Sequence, residues 1–337
     1  MDNNILVIGN GFDLHHNLKT KYFDFVKFTK EIANMKDIPE EIINKCKNNI
    51  FLVYFQKVCE ITRNWIDCEQ EIENIASTLQ DLINLWKNSK DGYANLNMLQ
   101  DTAYARLVRT CISSKFISTP TGFENCKANE KYYIYNIFRK DLFMDDLRKE
   151  LQDVIEVLSF YLKKEENNVC SKDAYKQIID INPRQIINFN YTNTYSKIYS
   201  DKIPVLYIHG SLEDKSSIVL GIPDSEKISL DFVYFKKYFQ RIQKRTQTLR
   251  SIDFMSHEGI DRIKPTIYFL GLSMGRTDED IIKKVIHESL KSIIFYYNQD
   301  DYESKVINLI DIYGRNKIEE MIENQNIEFV KLDKNKV

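Results

Sequence analysis

Asn4-Ile5-Leu6-Val7-Ile8-Gly9-Asn10-Gly11-Phe12-Asp13 decides the reading of this chain. Four consecutive large aliphatics predict a strand buried on both faces, as in a parallel sheet. Gly9 and Gly11, one residue apart, then allow a sharp turn with backbone amides bared, and a following helix would aim its positive N-terminal end at the same spot. A nucleotide-binding α/β fold usually starts this way, with Gly9, Asn10, Gly11 and Phe12 against a phosphate or ribose. A simple tight turn competes with that reading, because the pair lacks the third glycine of the dinucleotide fingerprint.

Working outward, residues 21–35, 40–61, 65–86, 93–113 and 141–162 carry aromatic and aliphatic side chains at helical spacing. Residues 114–128, with Pro120 and Gly122, and the polar stretch 165–171 read as loops. The period then changes. Short β-branched or aromatic runs at 185–189, 205–208, 218–220, 266–270 and 292–296 predict strands, with helical segments at 232–254, 279–290 and 302–313. Strands alternating with helices predict a Rossmann-like α/β fold: a mostly parallel sheet with helices on both faces. Residues 1–20 supply its first strand and glycine turn, 21–170 a large helical insertion or cap, and 171–337 the remainder of the nucleotide-binding domain.

Composition narrows the partners. The 337 residues are 43% hydrophobic, ample for a core, and 47 Lys and Arg against 49 Asp and Glu leave a formal charge of −2. Such a balance gives no global pull toward nucleic acid or an anionic membrane, so a small-molecule nucleotide or a protein partner fits better. Six cysteines, Cys46, Cys59, Cys68, Cys111, Cys126 and Cys170, stand singly without CxxC pairs or histidines at ligand spacing. They read as reduced thiols of a cytoplasmic protein, and no metal is expected. No apolar run approaches the about 20 residues that span a bilayer.

Four predicted strands end in residues suited to ligand contact, which is where an open α/β sheet binds its ligands. These ends are Gly9 to Asp13, Asn188-Phe189-Asn190-Tyr191-Thr192, His209-Gly210-Ser211 and Gly271-Leu272-Ser273-Met274-Gly275. His209, one of five histidines, suits a general base, or else ends its strand by bonding to backbone. Asn190 offers an amide to hold a water or a ribose hydroxyl, or else forms an Asx-turn. Asp13 either accepts from a ribose or cationic ring or caps the next helix. Asp67 and Glu69 suit a solvated helix start. His15 and His16 face different ways and have no acidic partner at metal spacing. The basic stretch with Lys236, Lys237, Arg241, Lys244 and Arg245 reads as the solvated face of an amphipathic helix.

These motifs resemble the AbiH proteins of bacterial abortive-infection phage defence. The resemblance runs nearly end to end through IGNGFDLHHNLKTKYFDF, WIDCE, NFNYT, IHG, LGI at Gly221 and FLGLSMGRTDEDII. It implies a defence role and a phage-derived trigger. More distantly, the same landmarks are similar to the sirtuin-type NAD-binding fold of phage-defence NAD hydrolases. On that resemblance Gly9 and Gly11 would cradle phosphates, Asn190 would order the nicotinamide ribose or the attacking water, and His209 would be the base. Gly271 and Ser273 would line the adenosine side, and Thr192, Gly210 and Asp278 would complete the binding set. Thr192 stands where the sirtuin-type motif commonly has an acidic residue, and no zinc-binding cysteines accompany it. Leu272 stands where AbiH relatives often carry a histidine.

The reading that follows is a defence protein that hydrolyses NAD at the nicotinamide-ribose bond, without a metal and with a possible homo-oligomeric form. One alternative is a nucleotide-binding sensor acting through a partner. Another is a metal-dependent nuclease-type toxin using Asp13, Asp67 and Glu69 around magnesium.

Overall fold

A computed structural model describes residues 3–62, 66–88, 93–95, 117–118, 125–128, 131, 133–134, 137–169, 174–223, 227–246, 256–258 and 261–333. Compactness divides the chain into two units: Met1–Lys21 with Ser159–Val219 and Arg241–Val337, and Tyr22–Leu158 with Leu220–Gln240. The sequence expectation drew its boundaries at 20 and 170 and did not assign 220–240 to the insertion.

The first unit holds a six-stranded sheet of β1 (Asn4–Ile8), β2 (Gln185–Asn188), β3 (Val205–Tyr207), β4 (Thr266–Leu270), β5 (Lys291–Tyr296) and β6 (Ile327–Lys331). Every pairing is parallel and the order is β6-β5-β4-β1-β2-β3. β1 is central, with Ile8 opposite Leu270 on one side and Asn188 on the other. The aliphatic run is continuous because alternate residues feed two cores. Ile5 and Val7 join Ile187, Leu206, Ile267 and Phe269 against helices α10 (Glu279–His287), α11 (Gln299–Tyr313) and α12 (Arg315–Glu323). Leu6 and Ile8 join Ile186, Leu270 and Phe295 against α1 (Asn10–His15), α7 (Lys176–Asp180) and α8 (Thr194–Ile198). The Rossmann-like sheet with helices on both faces is as the sequence predicts.

Two strand assignments differ. Residues 218–220 are irregular: they run beside the turn after β3, where Val219 N–H donates to the His209 carbonyl (2.8 Å). The sixth strand is β6, whose Glu328 and Lys331 mark it as a charged sheet edge.

In the second unit, residues 40–61 form two helices, α3 (Glu40–Asn48) and α4 (Ile50–Ile61), broken at Asn49. The Asn49 carboxamide oxygen accepts from Phe51 N–H (3.0 Å) and Leu52 N–H (3.1 Å), capping α4. α2 (Tyr22–Glu31) and α5 (Cys68–Asn88) fall where periodicity places them; α6 (Lys140–Glu166) runs past the expected end at 162, and its residues from Ser159 on belong to the first unit. Tyr93–Asn95, expected helical, and Asn125–Ala128 and Ile117–Ser118, expected in a loop, instead form a small antiparallel sheet. The rest of that expected helix, and Trp65, Cys111 and Cys170, lie outside the described residues.

The basic stretch is also corrected. Lys236 and Lys237 are buried, and Lys237 Nζ pairs with Glu69 Oε2 at 2.7 Å. α9 (Lys237–Gln243) is short, because the chain before it is a 3-10 turn over Leu230–Phe235. Cys46, Cys59 and Cys68 are buried free thiols, and burial pushes the first to about 12 and the second to about 11.

Candidate functional site

All the strand-end residues singled out above belong to the first unit. By strand number the order is 3-2-1-4-5-6: the chain runs from β1 through β2 to β3 at one edge and then returns to β4 on the other side of β1. The crevice beyond the carboxyl ends of β1 and β4 is the topological switch point, where open α/β sheets bind ligands.

Glycines bring these two ends together. Gly9 N–H donates to the Leu270 carbonyl (3.1 Å) and Gly11 N–H to the Gly271 carbonyl (2.7 Å). A Cβ on Gly11 would lie 2.7 Å from Gly271 Cα. Gly271 has φ +71° and would place a Cβ 2.1 Å from Phe12 N. The turn therefore does not bare the amides of Gly9 and Gly11; they are engaged with the end of β4, and the glycines are required for backbone to meet backbone. Phe12 is fully buried in the core shared with Ile8, with its ring 4.4 Å from that of His16. Asn10 is exposed and its side-chain oxygen accepts from the Thr20 hydroxyl (2.5 Å).

The end of β2 folds against the same turn. Asn188 forms the Asx-turn, accepting from Asn190 N–H (2.8 Å) and donating to the Thr192 carbonyl (3.0 Å). Asn190, buried, is thereby released from that structural task; its amide donates to the Gly9 carbonyl (3.0 Å), tying the β2 end to the β1 turn. The Thr192 hydroxyl donates to Asp13 Oδ2 (2.6 Å). Asp13 does not cap a helix. It lies inside α1, 1% exposed, and burial pushes its carboxyl up to about 6 against the opposing hydrogen bonds from Thr192, Thr194 and Asn190.

Behind this loop sits Glu166, which the sequence reading passed over. Its Oε1 accepts from Asn193 N–H (2.7 Å), and Lys163 and Lys197 hold its carboxyl below the usual range. The Tyr207 hydroxyl donates to Asn193 Oδ1 (3.2 Å) from the end of β3. Neither residue belongs to a local motif, so only the fold reveals them.

His209 follows β3, 4% exposed, with the Phe189 ring 5.6 Å away edge-on. Gly210, at φ +81°, would drive a Cβ to within 2.2 Å of the Ser217 carbonyl, so the turn after His209 admits only glycine. His209 Nε2 lies 3.0 Å from Asp278 Oδ1, in the segment between β4 and α10. On the same segment Ser273 is exposed and its carbonyl accepts from Asn308 (2.7 Å), Leu272 packs into the core, and Met274 is held at φ 58°.

Asp67 and Glu69 lie in the second unit and are occupied otherwise. Asp67 Oδ1 accepts from Glu69 N–H (3.0 Å) and Gln70 N–H (3.3 Å), while Glu69 pairs with buried Lys237. Among the described residues, no group of three or more His, Cys, Asp or Glu is arranged to hold a metal ion.

The family model for bacteriophage abortive infection AbiH matches residues 5–298, from the first residue of the buried run in β1 to the cap of α11. The chain belongs to the AbiH family. That membership carries a role in abortive-infection defence against phage. Within this AbiH chain the match covers every strand-end motif described above. No curated protein and no solved structure matches it significantly. Among its described residues no helix is long and apolar enough to cross a membrane.

Proposed function

We propose that this AbiH protein binds NAD, or a closely related nucleotide, at the switch point of its sheet and hydrolyses the nicotinamide-ribose bond in response to a phage-derived trigger. The observation that carries the reading is the 3-2-1-4-5-6 parallel order, with Asn190 and His209 at the ends of adjacent strands β2 and β3 beside the glycine contact of β1 and β4. The resemblance of these landmarks to the sirtuin-type NAD-binding fold supports it.

Cleavage of this bond asks little nucleophilic power of the protein. Positive charge builds on the ribose as the C1′–N bond breaks, and the pyridinium leaves as neutral nicotinamide, taking the bonding electron pair. Water oxygen forms the new bond to C1′ and its proton passes to His209, leaving ADP-ribose. The site has to position that water and supply the base, with bulk solvent kept away. Asn190 serves the first task, since its carboxamide is buried and anchored through its amide to Gly9, and His209 the second. Asp13 and Thr192 hold the Asn190 loop in place.

Purified full-length protein incubated with NAD is expected to release nicotinamide, followed by chromatography. Asn190→Ala and His209→Ala are each expected to lower the rate by about a hundredfold or more. Calorimetry showing NAD bound but unchanged after long incubation would replace this reading with that of a nucleotide-binding defence factor acting through a partner.

A further inference from the structure

The geometry points to Asp278 as the positioning residue of His209, acting from the opposite side of the crevice rather than as a contact to the nucleotide. The inference rests on His209 as the base of the proposed reaction.

β3, which carries His209, and β4, which precedes Asp278, are not neighbours; β1 and β2 stand between them. Three strand steps of about 4.8 Å put their axes on the order of 14 Å apart. The 3.0 Å approach of Nε2 to Oδ1 therefore joins loops from strands on either side of β1 and β2, whose carboxyl ends carry the Gly9 turn and Asn190.

Helix capping does not account for the aspartate at this position. Asp278 occupies the residue before α10, where aspartate ordinarily caps, yet its side chain makes no cap hydrogen bond. The neighbouring acids have partners of their own on the surface: Glu279 pairs with Lys283 and Asp280 with Arg241. Asp278 turns inward instead, and both partners are largely shielded, with side chains 5% and 15% exposed. A carboxylate 3.0 Å from Nε2 favours the tautomer with the proton on that nitrogen, which leaves the accepting lone pair on Nδ1.

Long-range ¹H–¹⁵N spectra of the full chain, which has five histidines, read the tautomer directly, with His209→Asn giving the assignment. We expect His209 to carry its proton on Nε2 in the native protein and to lose that preference in Asp278→Asn. Asp278→Glu should restore it in part, and Asp280→Asn, which breaks only the Arg241 pair, should leave it unchanged. In nicotinamide release, Asp278→Asn should lower kcat about tenfold or more with KM little altered, whereas a nucleotide contact would raise KM. An unchanged tautomer in a folded Asp278→Asn protein overturns the inference. So does a KM effect with kcat intact. A tautomer that responds in a protein releasing no nicotinamide would leave the positioning contact standing and remove the hydrolase reading.

Discussion

At Asp13 the chain places a carboxyl where water does not reach, and the consequence is a pH dependence of stability. Folding raises this group from 3.8 to about 6 because burial disfavours the charged form. The native state therefore binds its proton more tightly than the unfolded chain does, and its contribution to stability is greatest at low pH. That contribution declines as pH rises from about 4 through 6. Asp13→Asn, which keeps the shape and carries no charge, is expected to lack this decline. Urea titrations at pH 5 and 7.5 should show the native protein losing about 1–3 kcal/mol relative to the variant between the two, and an equal change in both would refute it. The candidate residues Asn190 and His209 stand out in the sequence because each follows a strand. Thr192 and Asp278 are named there too, but their pairings are not: the Thr192 hydroxyl meets Asp13 and the Asp278 carboxylate lies beside His209 across long stretches of sequence. Only tertiary folding assigns them.

Elements were read best where packing and period agree. The run Ile5 to Ile8 declares itself because a central parallel strand has no wet face. Residues 218–220 mislead because they are apolar and short, while their backbone is engaged outside the sheet: Val219 N–H with the His209 carbonyl, Leu220 with the Gln240 side chain. β6 hides because an edge strand mixes Glu328 and Lys331 with its apolar residues. Between elements, the meeting of the β1 and β4 turns is sterically exact enough to test. Gly11→Ala brings a methyl to 2.7 Å from Gly271 Cα, a backbone atom with little freedom to withdraw, whereas Gly275 has only the Ser273 hydroxyl at 3.4 Å. Gly11→Ala should destabilise by about 2–4 kcal/mol and Gly275→Ala by under about 1 kcal/mol. Denaturant midpoints of the two variants would check the contrast, and equal effects would show that the turns yield.

At the scale of the molecule, the defence role belongs to a chain whose sheet-bearing unit is assembled from three separated segments. The change of period points to a helical insertion over 21–170, whereas compactness groups residues 220–240 with 22–158, and the Lys237–Glu69 pair within that unit joins stretches too distant for the sequence to connect. A fragment ending at residue 260 keeps β1, β2 and β3 but lacks β4, β5 and β6, so one whole edge of β1 loses its partner. Such a fragment is expected to show no cooperative urea transition for the first unit and to be cut rapidly by protease at sites the full chain protects. The central position of β1 also sets a schedule on the ribosome. Its Ile-Leu-Val-Ile run is made first, but β2 follows about 180 residues later and β4 later still. At about 5–20 residues per second the stickiest segment of the protein waits roughly 10–40 s for its first strand partner. The cell that carries this defence must keep that segment from pairing elsewhere before the rest of the sheet exists.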